Sequence, residues 1–229
     1  MQIDSSIFKA YDIRGVVDKT LTVEATRAIG QALGALAKQN NVDTLCVGRD
    51  GRLSGPKLSQ ALMEGITDMG VNVKSIGMTP TPVLYFATFL TGTGSGIAVT
   101  GSHNPPEYNG LKMMMAKDTL YGEGIQALRT QIEKGLEVCP VKGKIEEIDV
   151  ITPYLEKITS DVKLARRIKV AIDCGNGVTG PVAMELFKRL GCDITPLFTE
   201  IDGHFPNHHP DPSKPANLAA LIETVKSTD

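Results

Sequence analysis

Segments with the pattern of β-strands alternate with segments that have the pattern of α-helices, and this alternation constrains the fold more than any other feature. Helical apolar spacing recurs at residues 22–38, 54–70, 81–91, 122–135 and 153–167. Short apolar runs typical of buried strands lie at residues 44–50, 71–77, 96–101 and 111–115. This order predicts an α/β fold of helix–sheet–helix sandwiches with mixed, mostly parallel sheets.

Residues 136–151 lose this pattern and carry mixed charge. We therefore predict a boundary near residue 148, with a first domain at 1–148 and a second domain at 149–229. The second domain restarts with a helix at residues 153–167.

A weak internal repeat supports two units of similar design. The strand-like run "LCVGRDGR" is followed by Ser54-Gly55-Pro56 and a helix, and "KVAIDCGNG" is followed by Thr179-Gly180-Pro181 and a helix. Both units carry a glycine-containing turn at the strand's carboxyl end, where open α/β sheets bind ligands. Any βαβ unit needs turn residues, a cap and a helix terminator. The repeat therefore supports the fold more than a function.

Composition excludes several classes of partner. The net charge is −2, the isoelectric point is about 6.1 and charged residues make up 22% of the chain. Without a basic excess we expect no nucleic acid and no anionic membrane as a partner. The chain shows no signal peptide and no apolar run near the roughly 18 residues of a spanning helix. Its four cysteines form no C-x-x-C pair. We predict reduced thiols and a cytoplasmic location.

The stretch "IAVTGSHNPPEYNGLK" at 97–112 is the first candidate site. A buried strand ends at a glycine and Ser102, and Asn104 is confined to extended conformations by the proline after it. Asn109-Gly110 is a tight-turn dipeptide, and we expect it to bring Lys112 back toward Ser102. A phosphate on Ser102 would need cations nearby, and Lys112 could supply one or act as a general acid or base. The alternative is a turn serine beside a solvated lysine.

Two further stretches are rich in charged residues. In "KAYDIRG" an extended backbone would put Asp12 and Arg14 on one face, and Arg14 has the fork geometry that binds phosphate. The alternative there is a surface ion pair. In "GRDGRLSG" Arg49 and Arg52 flank an Asp-Gly turn, and a basic loop is a better interpretation than a direct ligand site.

The common catalytic signatures are absent from the sequence. It has no G-x-x-x-x-G-K-[ST] loop, no G-x-G-x-x-G after a strand and no G-x-S-x-G around Ser102. Adjacent side chains of an extended chain point to opposite faces, which disfavours a Ser102–His103 dyad. Pro206 between His204 and His208 disfavours a helical metal pair, and "HFPNHHPDP" is typical of a rigid surface loop.

Taken together, these stretches resemble the α-D-phosphohexomutases. "TGSHNPPEYNGLK" is similar to their active-site loop, "YDIRG" to their N-terminal motif, and "AIDCGNG" and "HHPDPSKPANL" to their second domain. The similarity follows the same order over nearly all of the chain. Pro106-Glu107-Tyr108 resembles the phosphomannomutase/phosphoglucomutase branch.

The resemblance implies roles for particular residues. Ser102 would be the phosphoserine and one ligand of Mg²⁺, and Lys112 would position or protonate the reacting hydroxyl. His103 and Asn104 would line the same loop, and Tyr11 and Arg14 would contact the phosphoserine and substrate. The reaction would interconvert 1-phospho and 6-phospho hexoses, with glucose or mannose 1,6-bisphosphate as intermediate and activator. Hexose phosphates would be the ligands, and the full-length enzyme would be a monomer.

One departure from the family is large. The family's D-G-D-G-D-R loop, whose aspartates complete the metal site, does not occur before the chain ends at Asp229. We therefore expect the N-terminal part of a mutase about twice this length. On that expectation the second domain is incomplete, the fragment alone is inactive, and the open edge of its second sheet favours self-association. The residues that would distinguish mannose from glucose would lie beyond Asp229.

Two other functions stay open on the sequence. The first is a non-catalytic module that binds a phosphosugar or carries phosphate on Ser102 without turnover. The second is a phosphatase with a phosphoserine intermediate, which the lack of a clear water-activating base disfavours.

Overall fold

A seven-stranded mixed sheet forms the centre of the molecule in a computed structural model that describes residues 3–228. Its strands are Ile13–Val16 (β1), Thr44–Arg49 (β2), Asn72–Met78 (β3), Gly96–Val99 (β4), Tyr108–Met115 (β5), Asp118–Thr119 (β6) and Ile145–Glu147 (β7). They lie in the order β1-β5-β4-β2-β3-β7, and β6 pairs with β5. Strand β2 runs parallel to β3 and β4, and β3 runs parallel to β7. Strand β5 is antiparallel to β1, β4 and β6.

Helices cover both faces of this sheet, because side chains alternate between the faces along each strand. The helices are Val23–Gln39 (α1), Gly55–Asp68 (α2), Thr81–Leu90 (α3) and Glu123–Lys134 (α4). In β2, Leu45 and Val47 join the apolar core under α1, α2 and α4, whereas Cys46 between them joins a smaller core under α3. Helices α1 and α2 pack closely, since a Cβ on Gly65 would lie 2.1 Å from the carbonyl oxygen of Arg27.

The rest of the described chain has a smaller sheet with fewer buried residues. Strands Lys169–Asp173 (β8) and Asp193–Leu197 (β9) pair in parallel. The helices here are Ile151–Asp161 (α5), Gly180–Arg189 (α6) and Ala219–Ser227 (α7). We call residues 3–148 the first unit and residues 149–228 the second unit. The predicted mixed, mostly parallel α/β class is confirmed, and the boundary at residue 148 stays a prediction.

Three local predictions from the sequence were wrong. Asn109-Gly110 is not a turn, because both residues lie inside β5 and pair with Gly15 and Arg14 of β1. The backbone approach there requires glycine, since a Cβ on Gly110 would lie 2.2 Å from the carbonyl oxygen of Ile13. Strand β7 lies in the stretch without a pattern, and α5 ends at Asp161, earlier than the predicted residue 167.

All four cysteines have free thiols, which agrees with the prediction of reduced cysteines. Within residues 3–228, no helix combines the length and the apolar character needed to cross a bilayer.

Candidate active site

A cavity of about 400 Å³ lies at the carboxyl ends of β2, β3 and β4. This is the edge at which open α/β sheets bind ligands. The first unit contributes Asp50, Ser102, His103 and Lys112 to its wall, and the opposite side comes from residues 177–179, Phe205 and Pro210 of the second unit. The cavity therefore lies between the two units, with the predicted serine and lysine both on its wall.

Ser102 lies in the connection between β4 and β5, residues 100–107, which we call the Ser102 loop. Its backbone is left-handed, with φ +53°, a conformation that costs a non-glycine residue roughly 1–2 kcal/mol. The Ser102 amide donates to Oγ1 of Thr100 at 3.0 Å, and the Asn104 side-chain amide donates to the Gly101 carbonyl at 2.9 Å. The loop is thus folded on itself, and the extended backbone assumed in the argument about a Ser102–His103 dyad is wrong.

His103 contacts the second unit. Its Nδ1 lies 2.8 Å from the carbonyl oxygen of Pro210. A carbonyl can only accept, so Nδ1 carries the proton and Nε2 is the nitrogen left to contact another group. The residue after the candidate nucleophile therefore connects the two walls of the cavity.

Lys112 comes from strand β5 and approaches a buried carboxylate. Its Nζ lies 3.8 Å from Oδ2 of Asp12, and the same oxygen forms an ion pair with Arg14. Asp12 is 7% exposed, and pairing of Ile13 with Leu111 brings β1 beside β5. The prediction that Asp12 and Arg14 share a face is confirmed. One carboxylate thus holds two cations beside the Ser102 loop.

The other candidate residues lie around the cavity. Of the candidate residues that the structure describes, Ser102, His103 and Lys112 lie on the cavity wall. Tyr11, Arg14 and Asn104 do not. Tyr11 is 76% exposed, so its side chain is open to solvent in this arrangement.

The sequence analysis did not find the pair that supports the Ser102 loop from below. Arg52 is 1% exposed and forms an ion pair with Asp50, and both lie in the turn that follows β2. Arg52 lies in the loop between β2 and α2, but the interpretation as a basic loop did not foresee that its guanidinium is buried among backbone carbonyls of the Ser102 loop. An arginine in an Asp-Gly turn at a strand's carboxyl end was a signal, but its burial depends on a loop fifty residues away.

The second unit presents a loop, residues 198–211, that is fixed by the turn after β8. The Asn176 amide side chain donates to the Glu200 carbonyl at 2.9 Å and accepts from Nδ2 of Asn207 at 2.7 Å. The His208 Nε2 lies 3.0 Å from both carboxylate oxygens of Asp173. The "AIDCGNG" turn therefore holds a neighbouring loop, and His208 is engaged with an aspartate.

The His208 ring faces acceptors at both nitrogens, because its Nδ1 lies 2.9 Å from the carbonyl oxygen of His209. Burial disfavours the charged ring, but the bonds to the His209 carbonyl and the Asp173 carboxylate outweigh it and raise the pKa of His208. The geometry thus favours an imidazolium.

Whether these residues could hold Mg²⁺ depends on the oxygen ligands that they offer. Mg²⁺ prefers oxygen ligands, usually carboxylates together with substrate phosphates. Residues 3–228 contain no group of three or more His, Cys, Asp or Glu side chains that could hold a metal. Asp50, the carboxylate on the cavity wall, already accepts from Arg52, Thr100 and Gly101. The described residues therefore do not form a metal site by themselves.

Comparison with known proteins agrees with the fold. The chain matches the family model "Phosphoglucomutase/phosphomannomutase, alpha/beta/alpha domain I" over residues 5–138 and the model for domain II of the same family over residues 152–229. The chain belongs to the phosphoglucomutase/phosphomannomutase family.

The relatives include enzymes named for both sugars. The chain is 50% identical to a phosphomannomutase/phosphoglucomutase of Pseudomonas putida over 226 residues, which are 99% of the chain and 49% of the relative. It is 52% identical to a phosphoglucomutase of Neisseria meningitidis serogroup B, over 99% of the chain and 50% of that protein. The solved structure of a phosphoglucomutase/phosphomannomutase family protein from Burkholderia thailandensis superposes with a TM-score of 0.95 at 49% identity. The match covers 100% of this chain and 51% of the Burkholderia thailandensis chain. The chain spans about half the length of the curated relatives it matches.

Proposed function

We propose that Ser102 is the phosphoryl carrier of a phosphohexomutase that interconverts the 1-phospho and 6-phospho forms of mannose, glucose or both. The observation that carries the proposal is the serine's setting: a left-handed residue on the wall of a cavity between two units, with Lys112 on the same wall. Membership of the family and the names of the relatives support it.

The proposed reaction consists of two phosphoryl transfers and balances without water. A free hydroxyl of a hexose monophosphate attacks the phosphorus on phospho-Ser102. A bond from phosphorus to the sugar oxygen forms while the bond to Oγ breaks. The proton of the hydroxyl ends on Oγ, and the products are a hexose 1,6-bisphosphate and free serine. The reverse step takes the other phosphate from the bisphosphate, so the sugar leaves as the isomer.

Each charged group has a task in this scheme. Lys112 carries the proton between the sugar hydroxyl and Oγ, or stabilises the charge on the transferring phosphoryl group. Arg14 offers a fork that suits two phosphate oxygens. Asp12 holds both cations in place through the ion pairs described above. His103 offers Nε2 as an acceptor for a sugar hydroxyl, since its Nδ1 donates to the Pro210 carbonyl.

Tyr11 and Asn104 have lesser roles. The exposed Tyr11 ring would fold onto a bound sugar. Asn104 would act by holding the loop through its bond to the Gly101 carbonyl.

Mg²⁺ is the cofactor in this proposal. The family is generally Mg²⁺-dependent, and Mg²⁺ would stabilise charge on the transferring phosphoryl group. Phospho-Ser102 would offer one ligand, and the described residues do not complete the shell. Hexose phosphates as ligands, a monomeric full-length protein and a cytoplasmic location are further parts of the proposal.

The test is to follow phosphate on Ser102 in the protein expressed from its complete gene. Incubation with glucose 1,6-bisphosphate and Mg²⁺ should add the mass of one phosphate, and peptide mapping should place it on Ser102. Glucose 1-phosphate or mannose 1-phosphate should then take up this phosphate as the 1,6-bisphosphate, and return of the 1-phosphate to Ser102 should yield the 6-phosphate. Ser102→Ala is the control and should accept no phosphate.

Each failure has a distinct meaning. Phosphate on Ser102 that no sugar phosphate removes would identify a non-catalytic module. Phosphate lost to water at the same rate with and without sugar would indicate a phosphatase. An unmodified serine under all conditions would refute the proposed carrier.

A further inference from the structure

The Arg52 side chain is buried under the Ser102 loop with all of its donors in use. Arginine has five N–H groups in a rigid fork. Nε donates to Oδ2 of Asp50 at 3.2 Å. The Nη atoms donate to the carbonyl oxygens of Pro105 at 2.6 Å, Tyr108 at 3.1 Å, Ser102 at 3.0 Å and Asn104 at 2.7 Å. Four carbonyls from the loop and its end therefore converge on one guanidinium.

Asp50 completes this arrangement from the other side. Its Oδ2 accepts from Oγ1 of Thr100 at 2.8 Å and from the Gly101 amide at 3.1 Å. A buried charge is tolerated only when it is paired and its hydrogen bonds are satisfied. Burial lowers the pKa of Arg52 and the Asp50 carboxylate opposes that shift, but an arginine remains charged in proteins. The pair thus binds the start of the loop through one hydroxyl and one amide, and the remainder through its carbonyls.

The space around the guanidinium is filled. A Cβ on Gly101 would lie 2.3 Å from Nε of Arg52, so the loop can approach this closely only with glycine there. On the side of the second unit, the Phe205 ring lies 5.2 Å from Cζ, within range of a cation–π contact. Because no donor is left over, Arg52 cannot be a ligand for substrate phosphate.

We infer that Arg52 is the positioning residue of the phosphoryl carrier, and that its buried guanidinium fixes the backbone from which Ser102 presents its hydroxyl. The inference rests on the proposed function. The bond to the Ser102 carbonyl holds the residue in its left-handed conformation, which is otherwise unfavourable. Lysine cannot replace it, because an ammonium has three donors and no planar fork.

The experiment compares three variants of the protein expressed from its complete gene: Arg52→Ala, Arg52→Lys and Arg49→Ala. Arg49 is the matched control, since its Nη1 makes one bond, to the Asp50 carbonyl at 3.2 Å. Two readouts are taken. The first is the rate of phosphate transfer from glucose 1,6-bisphosphate to Ser102. The second is hydrogen exchange at the amides of Ser102, Asn104 and Tyr108, with helices α1 and α2 as reference.

We expect Arg52→Ala to slow transfer about 100-fold, the usual cost of misplacing a reacting group by about 1 Å. The three loop amides should lose protection while α1 and α2 keep theirs. Guanidinium ion, added at millimolar concentration, should restore part of the rate in Arg52→Ala but not change that of wild type. Arg52→Lys should fold and remain slower than wild type, and Arg49→Ala should transfer at the wild-type rate.

Transfer at the wild-type rate in Arg52→Lys, with protected loop amides, would overturn the inference. If Arg52→Ala does not fold, Arg52→Lys decides. If wild type accepts no phosphate, the proposed function fails, and loop exchange in Arg52→Lys still decides whether Arg52 orders the Ser102 loop.

Discussion

The turns that follow β2 and β8 each hold a neighbouring loop, but they do so with different side chains. Each must hold a neighbouring loop at the cavity, and each is followed by a helix that begins with Gly-Pro. After β2 the holding group is Arg52, which is 1% exposed and charged at any physiological pH. After β8 the holding groups are Asn176 and the Asp173–His208 pair, whose histidine side chain is 19% exposed.

The difference follows from the sheets beneath the turns. Strand β2 is central in a seven-stranded sheet with cores on both faces, whereas β8 has one partner strand and only partly buried side chains. A deep core can enclose a paired charge, while a shallow one leaves the pair near water. The first unit therefore suits the proposed phosphoryl carrier, which needs a fixed position, and the second unit holds its loop through a pair nearer to water.

The largest contrast we predict is at the glycines that begin α2 and α6. A Cβ on Gly180 would lie 1.9 Å from the backbone oxygen of Thr199, whereas a Cβ on Gly55 would meet Cδ of Arg49 at 3.3 Å. Gly180→Ala should therefore destabilise the second unit by about 3 kcal/mol. Gly55→Ala should change stability by less than about 1 kcal/mol, since a flexible side chain can move and alanine lowers the entropy of the unfolded chain.

Hydrogen exchange of β8–β9 and of β2–β4 measures the two effects separately. Equal destabilisation by the two substitutions would show that the two turns are not built differently at this position.

A smaller contrast concerns the depth of the two cores. Val47 of β2 is 2% exposed, whereas Val170 of β8 is partly exposed. Val47→Ala removes two buried methyl groups and leaves a cavity, so it should cost about 2 kcal/mol, and Val170→Ala should cost less than about 1 kcal/mol. Denaturant unfolding of each variant, followed by exchange in each unit, provides the measurement. A larger loss from Val170→Ala would mean that the smaller sheet is the better packed of the two.

The sequence predicted the elements of the fold because hydrophobic periodicity is a local property. Strands β2, β3 and β4 and helices α1 to α4 were placed within a few residues, since their patterns and caps lie inside each segment. Asn109-Gly110 was misplaced because a dipeptide typical of turns is here enclosed by β1 and β4, and pairing in the sheet overrides its local preference.

The candidate site was predictable in its residue types but not in its supports. Ser102 and Lys112 stand out because the stretch that contains them, residues 97–112, has an unusual composition. The roles of Arg52 and His208 depend on contacts 50 and 35 residues away in sequence. Spacing alone carries no information about such pairs, because they form only when two separate turns meet at one edge of the sheet.

The smallest effect we predict is a difference in pH dependence between the loops. The pKa of His208 is raised in the folded state above its unfolded value of about 6.5. The stabilisation of the folded state by protonated His208 is therefore fully present below about pH 6.5 and is lost as the pH rises through the folded pKa. The groups facing the ring are Asp173, Cys174 and the side chains of His103 and Asp211 across a small neighbouring cavity. Burial and Asp173 raise the pKa of the Cys174 thiol, so it stays neutral in this range.

Exchange-derived opening free energies, corrected for intrinsic rates, should fall for residues 198–211 between about pH 6 and pH 9. The opening free energies of the Ser102 loop should stay constant, because Arg52, which supports that loop, does not titrate in this pH range. His208→Gln keeps a side-chain amide that can donate to Asp173 but cannot titrate. It should remove the pH dependence of residues 198–211 and lower their stability at pH 6. Equal opening of residues 198–211 at both pH values in wild type would contradict an imidazolium at His208. It would also remove the distinction between the permanent charge of Arg52 under one loop and the titratable charge of His208 under the other.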